Sequence, residues 1–110
     1  MVEYSAPLKE MKFALEAIAG LKGLTKLPGF EDAQPDLVAA ALDEANKLAT
    51  GVIAPLQRVG DTHPPVIENG VVRTSPGWIN AYKQFSEGGW NGPSADPEIE
   101  EPVINDLNEL

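Results

Sequence analysis

The chain has 110 residues, of which 17 are acidic and 8 are Lys or Arg, so its formal net charge is −9. Hydrophobic residues make up 43% and charged residues 23%, an ordinary globular composition that argues against a wholly disordered chain. The acidic surplus makes nucleic acid and anionic membrane surfaces poor partners, because both bind through Lys and Arg. With no cysteine, the chain has no disulfide, no thiolate metal site and no thiol nucleophile.

The predicted location is the cytoplasm. The first four residues lack the basic and then apolar layout of a secretory signal. No apolar run in the sequence reaches the roughly 18 residues expected of a membrane span. The lack of cysteine fits a reducing compartment.

The first predicted element is an amphipathic helix. Ser5 is its predicted cap and Pro7 lies in its first turn, while Gly20 and Gly23 end the pattern. Apolar residues recur at the helical spacings of three and four; they are Leu8, Met11, Leu15 and Ile18. A connector follows, predicted to be a loop whose apolar residues pack onto this helix; these are Leu24, Leu27, Pro28 and Phe30.

The second predicted helix has the clearest pattern. Pro35 suits its first turn, and Asp36 precedes Lys47 in the order that the helix dipole favours. Gly51 and Pro55 interrupt the pattern, but a proline can kink a helix, so helical structure is expected to persist to about residue 59. The apolar stripe is broad and consists of Leu37, Val38, Ala41, Leu42, Ala45, Leu48, Ala49, Val52 and Ile53.

A β-hairpin is predicted over residues 66–72. Asn69 and Gly70 stand between two short β-branched runs, the strongest local pattern for a tight turn with positive φ. Because a two-stranded ribbon alone is only marginally stable, we expect the hairpin to pack on the helices.

A third helix follows, with Thr74 or Ser75 as its cap, Pro76 at or near its first position, and Gly88 and Gly89 at its end. Two interpretations of the nearby aromatic residues stay open: a ring platform for a ligand, or core packing, which is favoured because three of them share one helical face. Of the four, we expect Trp90 to be the least buried; the set is Trp78, Tyr82, Phe85 and Trp90.

The predicted fold class is mainly α: a small helical domain of about three main helices with one short β-hairpin. We assign residues 1–91 to the helical domain and residues 92–110 to an acidic tail, which has six acidic residues, no basic residue and three prolines. A short terminal helix around Ile104 to Leu110 and a mobile tail both remain open.

Few residues suggest catalysis. His63 is the only histidine, and without a second imidazole or a thiolate it is expected to be a surface loop residue, not a metal ligand. Ser75, Ser86 and Ser94 could supply the hydroxyl of a Ser-His-Asp triad, but no nucleophile-elbow motif surrounds any of them.

The remaining polar and glycine motifs have structural explanations. The paired carboxylates Asp43-Glu44 and Glu100-Glu101 are expected on solvated surfaces, because adjacent side chains diverge. Neither Gly20 with Gly23 nor the Gly88-Gly89 pair has the spacing of a phosphate-binding loop. We therefore assign no catalytic, cofactor-binding or metal-binding residue to this chain.

Several short stretches nevertheless occur in a specific order between about residues 4 and 90. They include Tyr4-Ser5-Ala6-Pro7-Leu8, Leu27-Pro28-Gly29-Phe30, Ile53-Ala54-Pro55-Leu56 with Gly60-Asp61, Asn69-Gly70-Val71-Val72, Pro76-Gly77-Trp78 and Glu87-Gly88-Gly89-Trp90. This ordered set resembles the amino-terminal part of the acyl-CoA dehydrogenases, and most closely the extended branch typified by the methylthiopropanoyl-CoA dehydrogenases.

The resemblance implies a helical scaffold that lies beside the active-site domains of an FAD-dependent enzyme. In that family the catalytic glutamate and most of the flavin and thioester sites lie beyond this region. The chain departs from the family at Thr62-His63-Pro64-Pro65, where an acidic residue and a glycine are usual, and again after Trp90. The resemblance thus implies a domain that is non-catalytic by itself.

The predicted partners are a second copy of the chain or a larger flavoprotein subunit. A free-standing helical module for protein–protein interaction or self-association is the alternative. A distant third hypothesis is a metal-assisted enzyme that uses the acidic tail with His63.

Overall fold

The computed structural model describes residues 3–94, and within them the fold is mainly helical with two short strands. This confirms the predicted fold class. The fold divides into two compact units, with the boundary between Ala54 and Pro55. Most of the predicted acidic tail, including the segment around Ile104 to Leu110, lies outside the described residues, so the predicted domain boundary after residue 91 stays a prediction.

The first unit begins with α1 (Leu8–Phe13), which continues into a π-helical turn, Ala14–Ile18. The Ala19 N–H donates to the Ala14 carbonyl, five residues back, at 2.9 Å. One extra residue in a turn rotates the following side chains by about 100°. Ile18 is consequently 77% exposed and leaves the predicted apolar stripe.

The predicted cap of this helix is wrong. Pro7, not Ser5, occupies the cap position, and no side chain hydrogen-bonds to the first turn. The Pro7 carbonyl accepts the N–H of Met11 at 3.0 Å, so the backbone itself starts the helix three residues after Ser5.

The connector contains a one-turn helix, α2 (Leu21–Leu24), which Gly20 introduces from the left-handed region at φ 71°. Leu21, only 5% exposed, is the buried residue here. The turn α2 packs against Ala14–Ile18, which continues the first helix, as predicted for the connector. The predicted anchors Leu27 and Phe30 are about half exposed, so neither is a buried residue. Both residues lie in consecutive turns that are closed by backbone hydrogen bonds.

The long helix α3 (Pro35–Leu48) starts at the predicted proline and ends in a second π-helical turn, Ala49–Ile53. Ala54 and Pro55 keep right-handed helical angles, and α4 (Leu56–Thr62) follows in the second unit. The predicted interruption is confirmed, and helical backbone extends slightly beyond residue 59. Because Pro55 has no N–H, the regular bonding pattern cannot continue through it.

Within the first unit, α1 packs against α3. The Asn46 side-chain oxygen accepts the N–H of Ala6 at 3.0 Å, and the Lys12 ammonium lies 3.6 Å from Asp43. The half-buried residues of the predicted stripe are Val38, Leu42, Ala45, Leu48, Ala49 and Val52. Leu37, Ala41 and Ile53 are exposed, so the stripe is narrower than predicted and only half-buried.

In the second unit, β1 (Val66–Glu68) and β2 (Val71–Arg73) form an antiparallel hairpin. Asn69 and Gly70 have φ of 51° and 78°, which confirms the predicted turn. All six strand residues are exposed. The expectation that the hairpin packs on the helices is therefore wrong within the described part of the chain.

The last described helix, α5 (Trp78–Glu87), starts later than a Thr74 or Ser75 cap requires, so that prediction is wrong. The Ser75 carbonyl accepts the Trp78 N–H at 3.2 Å, and Gly77 has φ 85° and ψ −12°. Proline followed by glycine is the preferred centre of a type II turn, and this turn displaces the helix start.

The helix α5 ends at the predicted glycines. Gly89 has φ 76°, its N–H donates to the Ser86 carbonyl at 3.0 Å, and the Trp90 N–H donates to the Phe85 carbonyl at 3.3 Å. This pair of bonds is the Schellman motif, which satisfies carbonyls at a helix end.

Candidate functional site

The aromatic residues of the second unit do not form the predicted core. Trp78 and Tyr82 are exposed, whereas Phe85 and Trp90 are half-buried and Ala81 is the buried residue of α5. Core packing is therefore wrong for Trp78 and Tyr82, and Trp90 is not the least buried of the four. Gly88 explains the position of Trp90, because a Cβ at residue 88 would lie 2.9 Å from the indole Cδ1.

Two motifs that carry the family resemblance meet in this unit. The indole of Trp78 lies over Gly60 of α4, where an added Cβ would be 3.2 Å from Cζ2 and 3.7 Å from Nε1. Beside it, Tyr82 and Phe85 stack at a centroid distance of 6.4 Å. The Trp78 ring thus contacts α4 at Gly60 while the residue stays 47% exposed.

His63 is exposed, as predicted, and its ring Nδ1 lies 2.9 Å from the neighbouring Thr62 hydroxyl. The serines considered for a triad are not hydrogen-bonded to it: Ser75 is buried, and the Ser86 hydroxyl accepts a bond from Asn91 at 3.2 Å. Over residues 3–94 no group of three or more His, Cys, Asp or Glu is placed to hold a metal ion.

The carboxylates of Asp43 and Glu44 form surface ion pairs. Asp43 faces Lys12, and Glu44 accepts a hydrogen bond from Lys47. That hydrogen bond and the charge of Glu44 raise the pKa of Lys47 above its usual 10.5. The second predicted pair, Glu100-Glu101, lies outside the described residues.

The described residues do not by themselves fit FAD. A flavin site needs an enclosed ring and donors aimed at the cofactor, yet Leu21 and Ala81 are the buried hydrophobic residues here, and the one buried polar residue is Ser75. No buried side-chain nitrogen or oxygen in this part of the chain lacks a hydrogen-bond partner.

Exposed apolar surface is the dominant feature of the described residues. Helical spacing identified which residues share a face, but it could not show that the face lacks cover. The exposed large hydrophobic residues are Tyr4, Met11, Phe13, Ile18, Leu24, Leu27, Phe30, Leu37, Ile53, Val66, Ile67, Val71, Val72, Trp78, Ile79 and Tyr82. No helix in the described part of the chain is long and apolar enough to cross a membrane.

Comparison with known proteins identifies a relative. No family model matches the chain. The chain is 34% identical over 95 residues to the 3-methylmercaptopropionyl-CoA dehydrogenase of Ruegeria pomeroyi, a match that covers 86% of the chain. It spans only 16% of that relative's length. Because methylmercaptopropionyl and methylthiopropanoyl name the same acyl group, the match confirms the resemblance reached from the sequence.

Proposed function

Because the chain is homologous to an acyl-CoA dehydrogenase over 86% of its length, we propose that it is a helical scaffold segment of an FAD-dependent acyl-CoA dehydrogenase-like protein. By itself the segment is structural and non-catalytic, and it corresponds to the amino-terminal region of such a protein. The parent activity is α,β-dehydrogenation of an acyl-CoA thioester. The cytoplasmic location predicted from the sequence stays a prediction.

The observation that carries this proposal is the share of the relative that the chain matches. Removing an α-proton and transferring a hydride to flavin requires a positioned base, donors to the thioester carbonyl and a site closed to water. A segment equal to 16% of the relative leaves most of the protein to supply those groups.

The distribution of apolar side chains also supports the proposal. Among residues 3–94 only two hydrophobic residues are buried, Leu21 and Ala81, while sixteen large ones are exposed. Full burial of one such side chain contributes about 1.5–3 kcal/mol, so exposure on this scale forgoes much of the usual driving force for folding. A segment that normally packs against further protein has this surface.

Two activity assays test the proposal. The purified chain, mixed with FAD, an acyl-CoA and an artificial electron acceptor, should neither retain flavin after desalting nor reduce the acceptor. A chimera of the Ruegeria pomeroyi enzyme, with this chain in place of the matching segment, should retain flavin and reduce the acceptor. The same enzyme without that segment is the negative control. Turnover by this chain alone would overturn the proposal.

The exposed apolar surface also favours an alternative, in which the chain is a free-standing interaction or self-association module. Under this hypothesis the sixteen exposed hydrophobic residues contact a second copy or another subunit. Light scattering over a range of concentrations discriminates between the two: a monomer that stays soluble at high concentration counts against self-association, and a defined dimer or larger oligomer supports it.

A further inference from the structure

The chain contains two Asn-Gly pairs, Asn69-Gly70 in the hairpin turn and Asn91-Gly92 after α5. In such a pair the backbone nitrogen of the glycine can attack the side-chain amide of the asparagine, because glycine has no Cβ to hinder the approach. The two pairs are chemically alike, so the pairs by themselves do not favour one site over the other. Their surroundings in the structure are different.

Asn69 and Gly70 are open to solvent. Both residues are exposed, and a Cβ at Gly70 would meet no atom within 4 Å. Over residues 3–94, no hydrogen bond holds the Gly70 N–H or the Asn69 side-chain amide. The attacking nitrogen and the amide that it attacks are therefore both unrestrained.

The hairpin around this pair opens at low cost. Ring closure needs rotation about backbone and side-chain bonds of Asn69, so the turn must open before the reaction. The ladder between β1 and β2 has three residue pairs, and all six strand residues are exposed. A two-stranded ribbon without packing is marginally stable, and a segment with few buried contacts opens locally at low free energy.

The second pair is held in place. Gly92 is buried, and its N–H donates to the Gly89 carbonyl at 3.2 Å. The Asn91 side-chain amide donates to the Ser86 hydroxyl at 3.2 Å. Both reacting groups of this pair must lose a hydrogen bond before they can meet, so the surrounding structure slows the reaction.

We propose that Asn69 is a site of spontaneous deamidation, and that the fold directs this modification to Asn69 and away from Asn91. The Gly70 nitrogen loses its proton and bonds to Cγ of Asn69, and the side-chain nitrogen leaves as ammonia. The product is a cyclic succinimide. Water then opens the ring at either of its two carbonyls, which gives aspartate or isoaspartate. Water is the co-reactant, so the reaction needs no enzyme, metal or cofactor.

Both products change the hairpin. Each adds a carboxylate next to Glu68 and takes the net charge of the chain from −9 to −10. Aspartate keeps the positive φ of residue 69 at low cost. Isoaspartate adds an atom to the backbone of a two-residue turn, which disrupts the pairing of β1 with β2. The inference does not depend on the proposed function, because it uses only the surroundings of the two pairs.

Peptide mass spectrometry of the whole chain tests the proposal. The purified protein is incubated at mildly alkaline pH, both native and in guanidinium chloride, and the conversion of each asparagine amide to a carboxylate is followed with time. Fragment ions identify the modified residue, and methylation by an isoaspartyl methyltransferase identifies isoaspartate. Asn69→Asp is the control for assignment, because it removes the reacting amide and should abolish the mass gain at residue 69.

In the native protein, Asn69 should deamidate at least about tenfold faster than Asn91, because the structure around Asn91 must open first. In guanidinium chloride the two rates should be similar, because neither pair is then restrained. A native rate at Asn69 that equals or falls below the rate at Asn91 would overturn the proposal. An equally large difference in guanidinium chloride would also overturn it, because the selectivity would then come from neighbouring residues and not from the fold.

Discussion

Replacing Gly60 by alanine sets a favourable backbone effect against an unfavourable steric one. Gly60 lies inside α4, where alanine is preferred to glycine by about 0.8–1 kcal/mol. A Cβ at this position would, however, lie 3.2 Å from Cζ2 of the Trp78 indole. The ring is rigid, so the indole must move as a whole to accept the methyl group.

The size of the steric effect follows from the exposure of the ring. Overpacking a closed core costs about 1–3 kcal/mol, but Trp78 is 47% exposed and has room to shift. We therefore take the lower part of that range, which roughly cancels or slightly exceeds the gain in helix propensity. Gly60→Ala should lower the free energy of unfolding by about 0–1 kcal/mol.

A double-mutant cycle isolates the contact. In a Trp78→Ala background the steric effect is absent, so Gly60→Ala should stabilise the protein by up to about 1 kcal/mol. Gly51→Ala is the matched control, because a Cβ at residue 51 would meet no atom within 4 Å. This substitution should therefore stabilise the wild type and the Trp78→Ala background alike. Urea unfolding followed by far-UV circular dichroism gives the free energies without relying on the mutated fluorophore. If Gly60→Ala stabilises both backgrounds equally, Trp78 does not lie against Gly60.

Three further predictions concern stability. Leu21→Ala should lower the free energy of unfolding, measured with urea, by about 2–5 kcal/mol, because Leu21 is buried. Leu27→Ala should lower it clearly less, because Leu27 is half exposed. Asn46→Ala should lower the free energy of unfolding by about 0.5–1.5 kcal/mol, because it removes the acceptor of the Ala6 N–H. Asn46→Asp keeps an acceptor and should lower it less. Equal losses for the two variants would contradict the role of Asn46 as a hydrogen-bond acceptor. Glu44 raises the pKa of Lys47 in the folded state, so the pair of Glu44 and protonated Lys47 stabilises the fold. This contribution to stability is complete below pH 10.5 and is lost as the pH rises through the raised folded-state pKa. Between about pH 9 and pH 12 the urea midpoint of the wild type should therefore fall more than that of Glu44→Gln, and parallel curves would refute the linkage.

Features that depend on a few neighbouring residues could be predicted from the sequence. Asn69 and Gly70 specify the hairpin turn because they adopt positive φ at low cost. Gly88 and Gly89 end α5, and Pro35 starts α3, for equally local reasons. The family resemblance could also be found from the sequence, because it rests on the order of short motifs along the chain.

Predictions from neighbouring residues were wrong where two local structural preferences competed. Ser75 is a good helix cap in isolation, but Pro76 and Gly77 favour a type II turn, and the turn prevails. The π-helical turn that exposes Ile18 has no proline within it and no pattern that would have identified it.

Only the tertiary structure decided which apolar faces are covered. Side-chain periodicity predicts that Ile67 shares a face with Val72, and Trp78 with Tyr82. Whether such a face is buried depends on the side chains that pack against it, and these come from residues distant in sequence. Both the hairpin and the outer side of α5 are exposed in the described part of the chain. A sequence pattern records that a surface can be buried, whereas the partner that buries it is a property of the assembled protein.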